Sequence, residues 1–378
     1  MKPMQRSARA VPRVVLAAAA SAALLAAHPG TAQADAEVLP GVTVGAGLEA
    51  SLFDCDKACI YSPSSVPAGD SSVTGFALNS IRLYVNGNVT NTIKLTFDTE
   101  YTGSGSGAGS DKVEVLDAIA RFEFSDYLNI WAGRFLEPSD RANLAGPYYA
   151  NDWTPFADGI ADYYPGIENG RDNGAAYWGD FGIAKVQLGV FDGESLGGTA
   201  VKDPSKLLYA GRVMLDFWDK EKGYYLNGSY YGDKDILSVG AVVQSLDSKT
   251  AWDIDGLMEK KLGTSGAVTV EAEYQKDNGL NANNFNNAAN DGWSVLASYL
   301  FPQVVGIGKF QLLAKYGDKT FDATAITASN QIRTTEVDVN YIIKEFNAKV
   351  GLYYLGQTES DPGTLSPTEV GLKLQLQM

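Results

Sequence analysis

Val370-Gly371-Leu372-Lys373-Leu374-Gln375-Leu376-Gln377-Met378 places its large apolar side chains on one parity and Gly, Lys and Gln on the other. Successive side chains of an extended chain point to opposite faces, so this stretch is a strand with one apolar and one wet face. The same reading holds upstream. Val42, Val44, Ala46, Leu48 and Leu52 share a face; so do Ile93, Leu95, Phe97 and Tyr101, and so do Phe346, Ala348, Val350, Leu352 and Tyr354. A soluble sandwich would also alternate. Here, however, segment after segment of about ten residues sets charge opposite the apolar face, with Gly, Asn, Asp or Ser at the turns, which is the pattern of a closed barrel in lipid.

Sixteen segments read this way: 41–53, 75–87, 91–102, 112–124, 127–135, 173–180, 185–192, 207–217, 236–245, 250–261, 266–276, 292–301, 309–318, 332–343, 346–357 and 368–378. The run Tyr224-Tyr225-Leu226-Asn227-Gly228-Ser229-Tyr230-Tyr231 could add a seventeenth. An odd number would leave the chain ends on opposite sides of the membrane and send the Asn-rich loop 277–291 to the inner side. Single-chain barrels have even strand numbers, short inner turns and long outer loops. Residues 218–235 are therefore read as an unusually long periplasmic connection. Long outer loops then fall at 54–74, 103–111, 136–172, 193–206, 277–291, 319–331 and 358–367. The expected fold is all-β, a 16-stranded antiparallel transmembrane β-barrel whose bore is wide enough to hold water.

The first 34 residues carry the address. Lys2, Arg6, Arg9 and Arg13 precede an apolar run from Val14 to Ala27, and Ala32-Gln33-Ala34 closes the segment as a small-x-small cleavage site. The alternative, a membrane anchor, needs about 20 apolar residues, more than this run has. The expected organisation is a signal peptide at 1–34 and one barrel domain at 35–378, exported to the bacterial outer membrane. The formal net charge is −15, and loss of the four leader cations would make it −19. So acidic a chain offers no basic face, which excludes nucleic acid as a partner. His28 is the only histidine and leaves with the leader, so Ser-His and Cys-His catalysis and His-ligated metal sites are excluded from the mature chain. No cofactor is expected.

Loop 136–172 is the outstanding candidate for function. It is 37 residues long, rich in Pro, Tyr and Asp, and follows the fifth strand. A loop of that length and aromatic content is unlike solvated filler. This third outer loop is expected to fold into the lumen and set the size limit of the bore; the alternative is packing on the rim or on a neighbouring subunit. Arg82, Lys94, Arg121, Lys185 and Arg212 fall on the lumen parity with Lys309, Lys315, Lys349 and Lys373, opposite Asp98, Glu100, Asp117, Glu123, Asp216, Asp253, Asp255, Glu271, Glu273, Glu336 and Asp338. Their plain role is solvation and cross-strand pairing, because such groups are costly in lipid. Their sharper role is a field across a constriction. That constriction would draw on Arg82, Lys94, Arg121, Arg134, Lys185 and Arg212 from the wall, with Asp140, Arg141, Asp152, Asp158, Asp162 and Arg171 from the loop.

Cys55 and Cys59 stand in the first outer loop as Cys-x-x-x-Cys, and an oxidising compartment favours a disulfide over a two-thiolate metal site. Gly103 to Ser110 is glycine-rich, but no Lys-Ser/Thr closes it and no helix follows, so it is a loop rather than a phosphate cradle.

Several segments together resemble the phosphate-selective porins of the O and P type. Asn79-Ser-Ile-Arg82 leading to Val85-Asn-Gly87, then Ile93-Lys-Leu-Thr-Phe-Asp98, is similar to that family's early hairpin. Ala132-Gly-Arg-Phe135 with Pro138 resembles its approach to the third loop, and Gly170-Arg-Asp-Asn-Gly174 with Gly189-Val-Phe-Asp-Gly193 its exit. Tyr209-Ala-Gly-Arg212 and the stretch Gly232 to Gly240 fit its middle. The resemblance implies a 16-stranded homotrimer with the third loop inside and a phosphate pathway of Arg and Lys. The loop departs from that pathway, with Arg141 and Arg171 against Glu137, Asp140, Asp152, Asp158, Asp162, Glu168 and Asp172. The chain also ends in Met378 rather than the usual aromatic residue. The functional expectation is a water-filled channel in outer-membrane lipid for small hydrophilic solutes or ions, among them oxyanions such as phosphate. The alternative is a non-conducting barrel serving as an adhesin or as a sleeve for an electron-transfer partner, with a carboxylate-dependent hydrolase third.

Overall fold

The computed structural model describes residues 36–39, 41–60, 72–102, 112–152, 171–193, 206–280, 289–323, 329–360 and 366–378. A short strand β1 (Ala36–Leu39) turns at Gly41 and pairs with β2 (Val42–Asp56). Next come β3 (Ser72–Asn88), β4 (Ile93–Thr102), β5 (Lys112–Ser125) and β6 (Leu128–Leu136). A helix, α1 (Arg141–Tyr149), precedes β7 (Arg171–Asp180), β8 (Ala184–Phe191) and β9 (Leu208–Asp216). The second half holds β10 (Ile236–Leu246), β11 (Lys249–Lys261), β12 (Ala267–Asp277), β13 (Asn290–Val305) and β14 (Gly308–Phe321). It ends with β15 (Asn330–Lys344), β16 (Ala348–Glu359) and β17 (Thr368–Gln377).

Strands β2 to β17 form the wall, and all sixteen segments read from the sequence are among them. Each pairs antiparallel with its neighbour in the chain, and β17 returns to β2 from Thr368↔Asp56 to Gln377↔Gly47. Met378 and Ala46 exchange two backbone hydrogen bonds of 3.0 Å just beyond that register. Closure leaves the wall without an edge. The strand ends also follow residue chemistry. Strand β13 runs past the position read from sequence to Val305, but its pairing with β14 shifts between Leu300 and Val304, around Pro302, which has no N–H to donate. The β10–β11 hairpin is the one tight turn on the side of the long loops, with Asp247 and Ser248 both at positive φ.

The two faces of the wall differ as the parity requires. Leu95, Leu188, Val213, Val243, Ile254, Leu312, Val337 and Leu352 are exposed on the outside. Aromatic pairs gather towards both ends of the strands. Trp252–Tyr274 and Trp293–Tyr316 lie near the long loops, and Tyr299–Phe301 and Phe310–Tyr341 near the short turns. An apolar band between two aromatic girdles is the surface a barrel presents to a bilayer. Among the described residues no helix is long and apolar enough to cross a membrane.

Candidate functional site

Residues 137–152 run among the inward-facing side chains of the wall. Asp140 starts α1 by accepting a 2.9 Å bond from the Asn143 N–H, a helix N-cap. The helix does not continue smoothly, because Gly146 takes φ +63° and Pro147 follows it. Only glycine adopts that conformation readily, and proline adds no N–H to the ladder. The break turns the chain so that its C-terminal half reaches the far wall. There the Tyr148 carbonyl accepts from Gln375 at 3.0 Å and the Ala150 carbonyl from Lys349 at 3.3 Å. Asn151 donates to Ser298 Oγ at 2.9 Å and accepts from Gln311 at 3.0 Å, and Asp152 pairs with Lys315 at 3.0 Å. The Tyr148 ring is buried 5.2 Å below the Arg82 guanidinium and edge-on to Tyr84.

The connection between β9 and β10 meets this segment from the other end of the bore. Residues 217–235 form no strand, in line with the sequence reading, but they do not hang free below the barrel. The Leu226 N–H donates to the Leu144 carbonyl at 3.2 Å and the Gly228 N–H to the Tyr149 carbonyl at 2.8 Å. A Cβ on Gly228 would stand 2.5 Å from the Asn151 nitrogen, so the two backbones touch where only glycine fits. Glu221 forms a two-pronged pair with Arg141, at 2.9 Å (Nη1–Oε1) and 2.6 Å (Nη2–Oε2). Arg141 further donates to the Asn227 carbonyl and to Ser238 Oγ. Tyr224 stacks on Trp131 with centroids 4.7 Å apart, and its hydroxyl donates to the Leu136 carbonyl at 2.9 Å. An apolar core thus fills one side of the interior, with Trp131, Phe135, Leu136, Leu144, Tyr224 and Leu226 at its heart.

The wall candidates are tied to carboxylates close by. Arg82 pairs with Glu100, Lys94 with Glu123 at 2.6 Å, and Arg121 with Glu123 at 3.9 Å. Arg212 is bound through both terminal nitrogens to Asp255 and donates to the Ser139 carbonyl at 3.1 Å. Arg171 lies 3.4 Å from Asp117. Lys185 is buried, and its Nζ has no hydrogen-bond partner among the described residues. Arg134 needs correction as a lumen residue. It is paired with Ala118 on the face of β6 opposite Trp131, and donates from Nε to the Val115 carbonyl at 3.2 Å. The wall arginines therefore bind carboxylates of the wall itself, Arg212 reaching across β10 to Asp255 on β11; of the four loop aspartates, the described residues pair only Asp152 with a wall cation. Asp158 and Asp162 lie outside the described residues. Cys55 and Cys59 are joined by a disulfide at the outer end of β2.

Two loop carboxyls inside the bore titrate in opposite directions. Burial raises a carboxyl, and it pushes Asp140 up to about 6 against the bonds from Asn143 and Ser139. Glu221 is also buried, but the charge and hydrogen bonds of Arg141 outweigh burial and bring it down to about 2.

Sequence reasoning missed Tyr148, Glu221, Tyr224 and a cavity of about 450 Å³ lined by Asp219, Lys220, Lys222, Tyr225, Asn227, Tyr230 and Lys234. The one available signal was the apolar Tyr224-Tyr225-Leu226 inside a connection on the short-turn side, where solvated turns are polar.

No protein-family model and no curated protein matches the sequence. Its backbone does match solved outer-membrane proteins. The outer membrane channel DcaP of Acinetobacter baumannii aligns with a TM-score of 0.55 at 14% identity, over 92% of this chain and 100% of that one. A low-pH structure of OprB from Pseudomonas putida gives 0.54 at 9% identity, over 89% and 93%. An anion-selective porin from Comamonas acidovorans gives 0.53 at 15% identity, over 89% and 99%. At such identities the likeness is one of fold, and the chain has the fold of the outer-membrane porins.

Proposed function

We propose that the chain is an outer-membrane channel through which small hydrophilic solutes and ions diffuse, narrowed by two of its own segments. The carrying observation is the segment 137–152, bonded to inward side chains of β13, β14, β16 and β17 within a wall that is apolar outside. Such a loop limits what passes without closing a hydrated bore. The route is assigned to the polar half of the interior, where Arg82 and Lys315 are partly exposed and Glu336, Lys349 and Lys373 lie buried behind them, because the other half is a packed apolar core. The leader at 1–34, export to the outer membrane and a homotrimer complete the reading, on the leader's pattern and the resemblance to phosphate-selective porins. The alternative sleeve needs a lumen free for a second protein, and segments 137–152 and 217–235 cross that space. Nothing in the proposed route calls for catalysis.

A second reading concerns ion preference. A phosphate pathway needs cations without carboxylate partners, and the wall arginines named above, apart from Arg134, have them. Lys220, Lys222 and Lys234 are different: they share one cavity at the short-turn mouth, and no carboxylate pairs with them among the described residues. Anions would be favoured there.

Folded protein reconstituted into planar bilayers tests both readings. Discrete conductance steps are expected, with a reversal potential in a salt gradient that reports the preferred ion. Folded, inserted protein that passes no current would overturn the channel.

A further inference from the structure

The connection between β9 and β10 folds back on itself and leaves a cup of about 450 Å³ at the short-turn mouth. Its two arms are laced together. The Asp219 N–H donates to the Asp235 carbonyl at 2.9 Å, and the Asp235 N–H returns a bond of 2.9 Å to the Asp219 carboxylate. Lys234 Nζ donates to the Lys220 carbonyl at 3.2 Å. The floor is fixed from beneath. The Tyr230 hydroxyl donates to Glu221 at 2.9 Å, and Tyr225 packs on Trp131 with ring centroids 5.7 Å apart. Asn227 is held by its backbone, whose carbonyl accepts from Arg141 at 2.9 Å. The cup is therefore shaped before any guest arrives, and its volume falls in the range of about 300–1,000 Å³ that small-molecule sites occupy.

The lining sets Lys220, Lys222 and Lys234 against a single carboxylate, Asp219. Two further carboxylates belong to the same segment, but Arg141 holds Glu221, and Lys260 holds Asp235 at 2.5 Å. The three lysines have no carboxylate partner among the described residues, and ammonium groups suit a phosphate. Beside them lie aromatic faces, with Lys234 Nζ 4.7 Å from the Tyr230 ring centroid. A tyrosine face is electron-rich and takes C–H groups, such as those on the flat side of a sugar ring. Asp219 narrows the guest further. An ionised carboxylate only accepts, so it repels a bare anion and suits one that also brings hydroxyl donors. The Asn227 amide both donates and accepts, as hydroxyls do.

We infer that this cup is a binding site for a monosaccharide phosphate. The phosphate rests on Lys220, Lys222 and Lys234, the ring lies on Tyr225 and Tyr230, and the hydroxyls bond to Asp219 and Asn227. The inference rests on the anion preference proposed for this mouth and deepens it. The lysines draw anions in, and the floor selects among them.

The test titrates full-length folded protein in detergent with glucose 6-phosphate, and separately with glucose and with inorganic phosphate, by calorimetry. One saturable site is expected for glucose 6-phosphate, with a dissociation constant on the order of 1 mM or tighter. Glucose and inorganic phosphate should each bind at least about tenfold more weakly, because each fills half of the cup. Lys222→Glu, on an exposed side chain, should weaken glucose 6-phosphate by about tenfold or more. Tyr230→Leu should erase the preference for glucose 6-phosphate over inorganic phosphate. Tyr230→Phe loses the bond to Glu221 but keeps the ring, so it should retain that preference, which a merely structural role for Tyr230 would not allow. Absence of saturable binding, inorganic phosphate binding as tightly as the sugar phosphate, or wild-type affinity in both Lys222→Glu and Tyr230→Leu would overturn the site. A reversal potential that favours anions without glucose 6-phosphate binding refutes this inference alone. Binding in a protein whose reversal potential favours cations refutes the ion preference alone.

Discussion

The two halves of the barrel interior obey different rules. On the β5–β11 side, Trp131, Phe135, Phe191, Tyr224 and Leu226 pack as tightly as the core of a soluble domain. On the β13–β17 and β2–β3 side, Lys, Glu, Asp, Gln and Ser stand among fewer apolar inward residues such as Phe53, Leu313 and Leu355, and are held in pairs such as Lys373 with Glu336 at 3.2 Å and Asp338 at 3.8 Å. The strands differ in what they turn inward, and the chain laid against them follows suit. Segment 217–235 docks on the first half through the Tyr224 and Tyr225 rings, whereas the end of segment 137–152 meets the second half through backbone carbonyls, Asn151 and Asp152. The first half should therefore govern stability, and the second should govern passage.

Trp131→Ala is the harshest way to break that division. It removes the ring that stacks on Tyr224 and also meets Phe135, Trp178 and Tyr225. A loss of about 3–5 kcal/mol is expected from such a buried aromatic. Denaturant-dependent loss of the heat-modifiable folded band would measure it. With residues 217–235 less firmly held, single-channel conductance should rise. A stable variant of unchanged conductance would show that the apolar half is no anchor.

Glu221→Gln comes next. It keeps the shape of the side chain but leaves Arg141 buried with Asp255 as its remaining carboxylate partner, 3.8 Å from Nε. Breaking a buried pair from one side costs about 3 kcal/mol. The same pair sets an acid limit. The Glu221 carboxyl is depressed to about 2, so its stabilising contribution is complete above the ordinary carboxyl range and is lost as the pH falls towards 2. Asp140 works the other way. Raised to about 6, it penalises the folded state above that pH and relieves it on acidification between 6 and its ordinary value near 4. Stability should therefore increase from neutral pH to about 4 before falling, and Asp140→Asn should flatten the rise while leaving the fall. Thermal midpoints across pH 2–8 would check both limbs.

These predictions also mark where the sequence was readable. Alternation is a local property, so Val370 to Met378 and fifteen further segments could be identified without knowing what they touch. Strand count and loop length then constrained 218–235, correctly, to be a connection. The partners of that connection were not readable. The bond from Gln375 to the Tyr148 carbonyl joins residues 227 apart, and no period in the chain encodes it. Arg134 failed for a different reason. It sits between the inward Trp131 and Phe135 on the outward face, and a reading that weighs its charge and its place beside the third loop overrides the alternation that puts it outside. Charge identity likewise gave the lumen face but not its pairing, because whether Arg82 meets Glu100 or a loop aspartate depends on strand register.

A finer test asks whether the polar half carries the traffic. Lys373→Gln and Glu336→Gln each remove one charge from the same triad on β15 and β17 while keeping a polar side chain there. If solutes pass along this face, the first should move the reversal potential towards cations and the second towards anions, by about twofold in permeability ratio. Equal shifts in one direction would mean that altered folding, not the local field, was being measured.

Lys222→Glu has the smallest expected effect on stability and still discriminates. The side chain is exposed, lines the cavity at the short-turn mouth and lies on a segment whose other face is buried against α1. Surface charge changes away from packed groups usually stay within about 0.5 kcal/mol, so the thermal midpoint should hardly move. The electrostatic consequence is larger, because two lysines would face two carboxylates, Asp219 and the one introduced, where three lysines faced Asp219 alone. At low salt an anion entering from this mouth should lose the advantage it had, and the difference from the wild type should fade as the Debye length shrinks towards 3 Å at 1 M. A reversal potential equally insensitive to Lys222→Glu at low and at high salt would place ion preference wholly on the ion-paired wall, and the connection between β9 and β10 would then be packing alone.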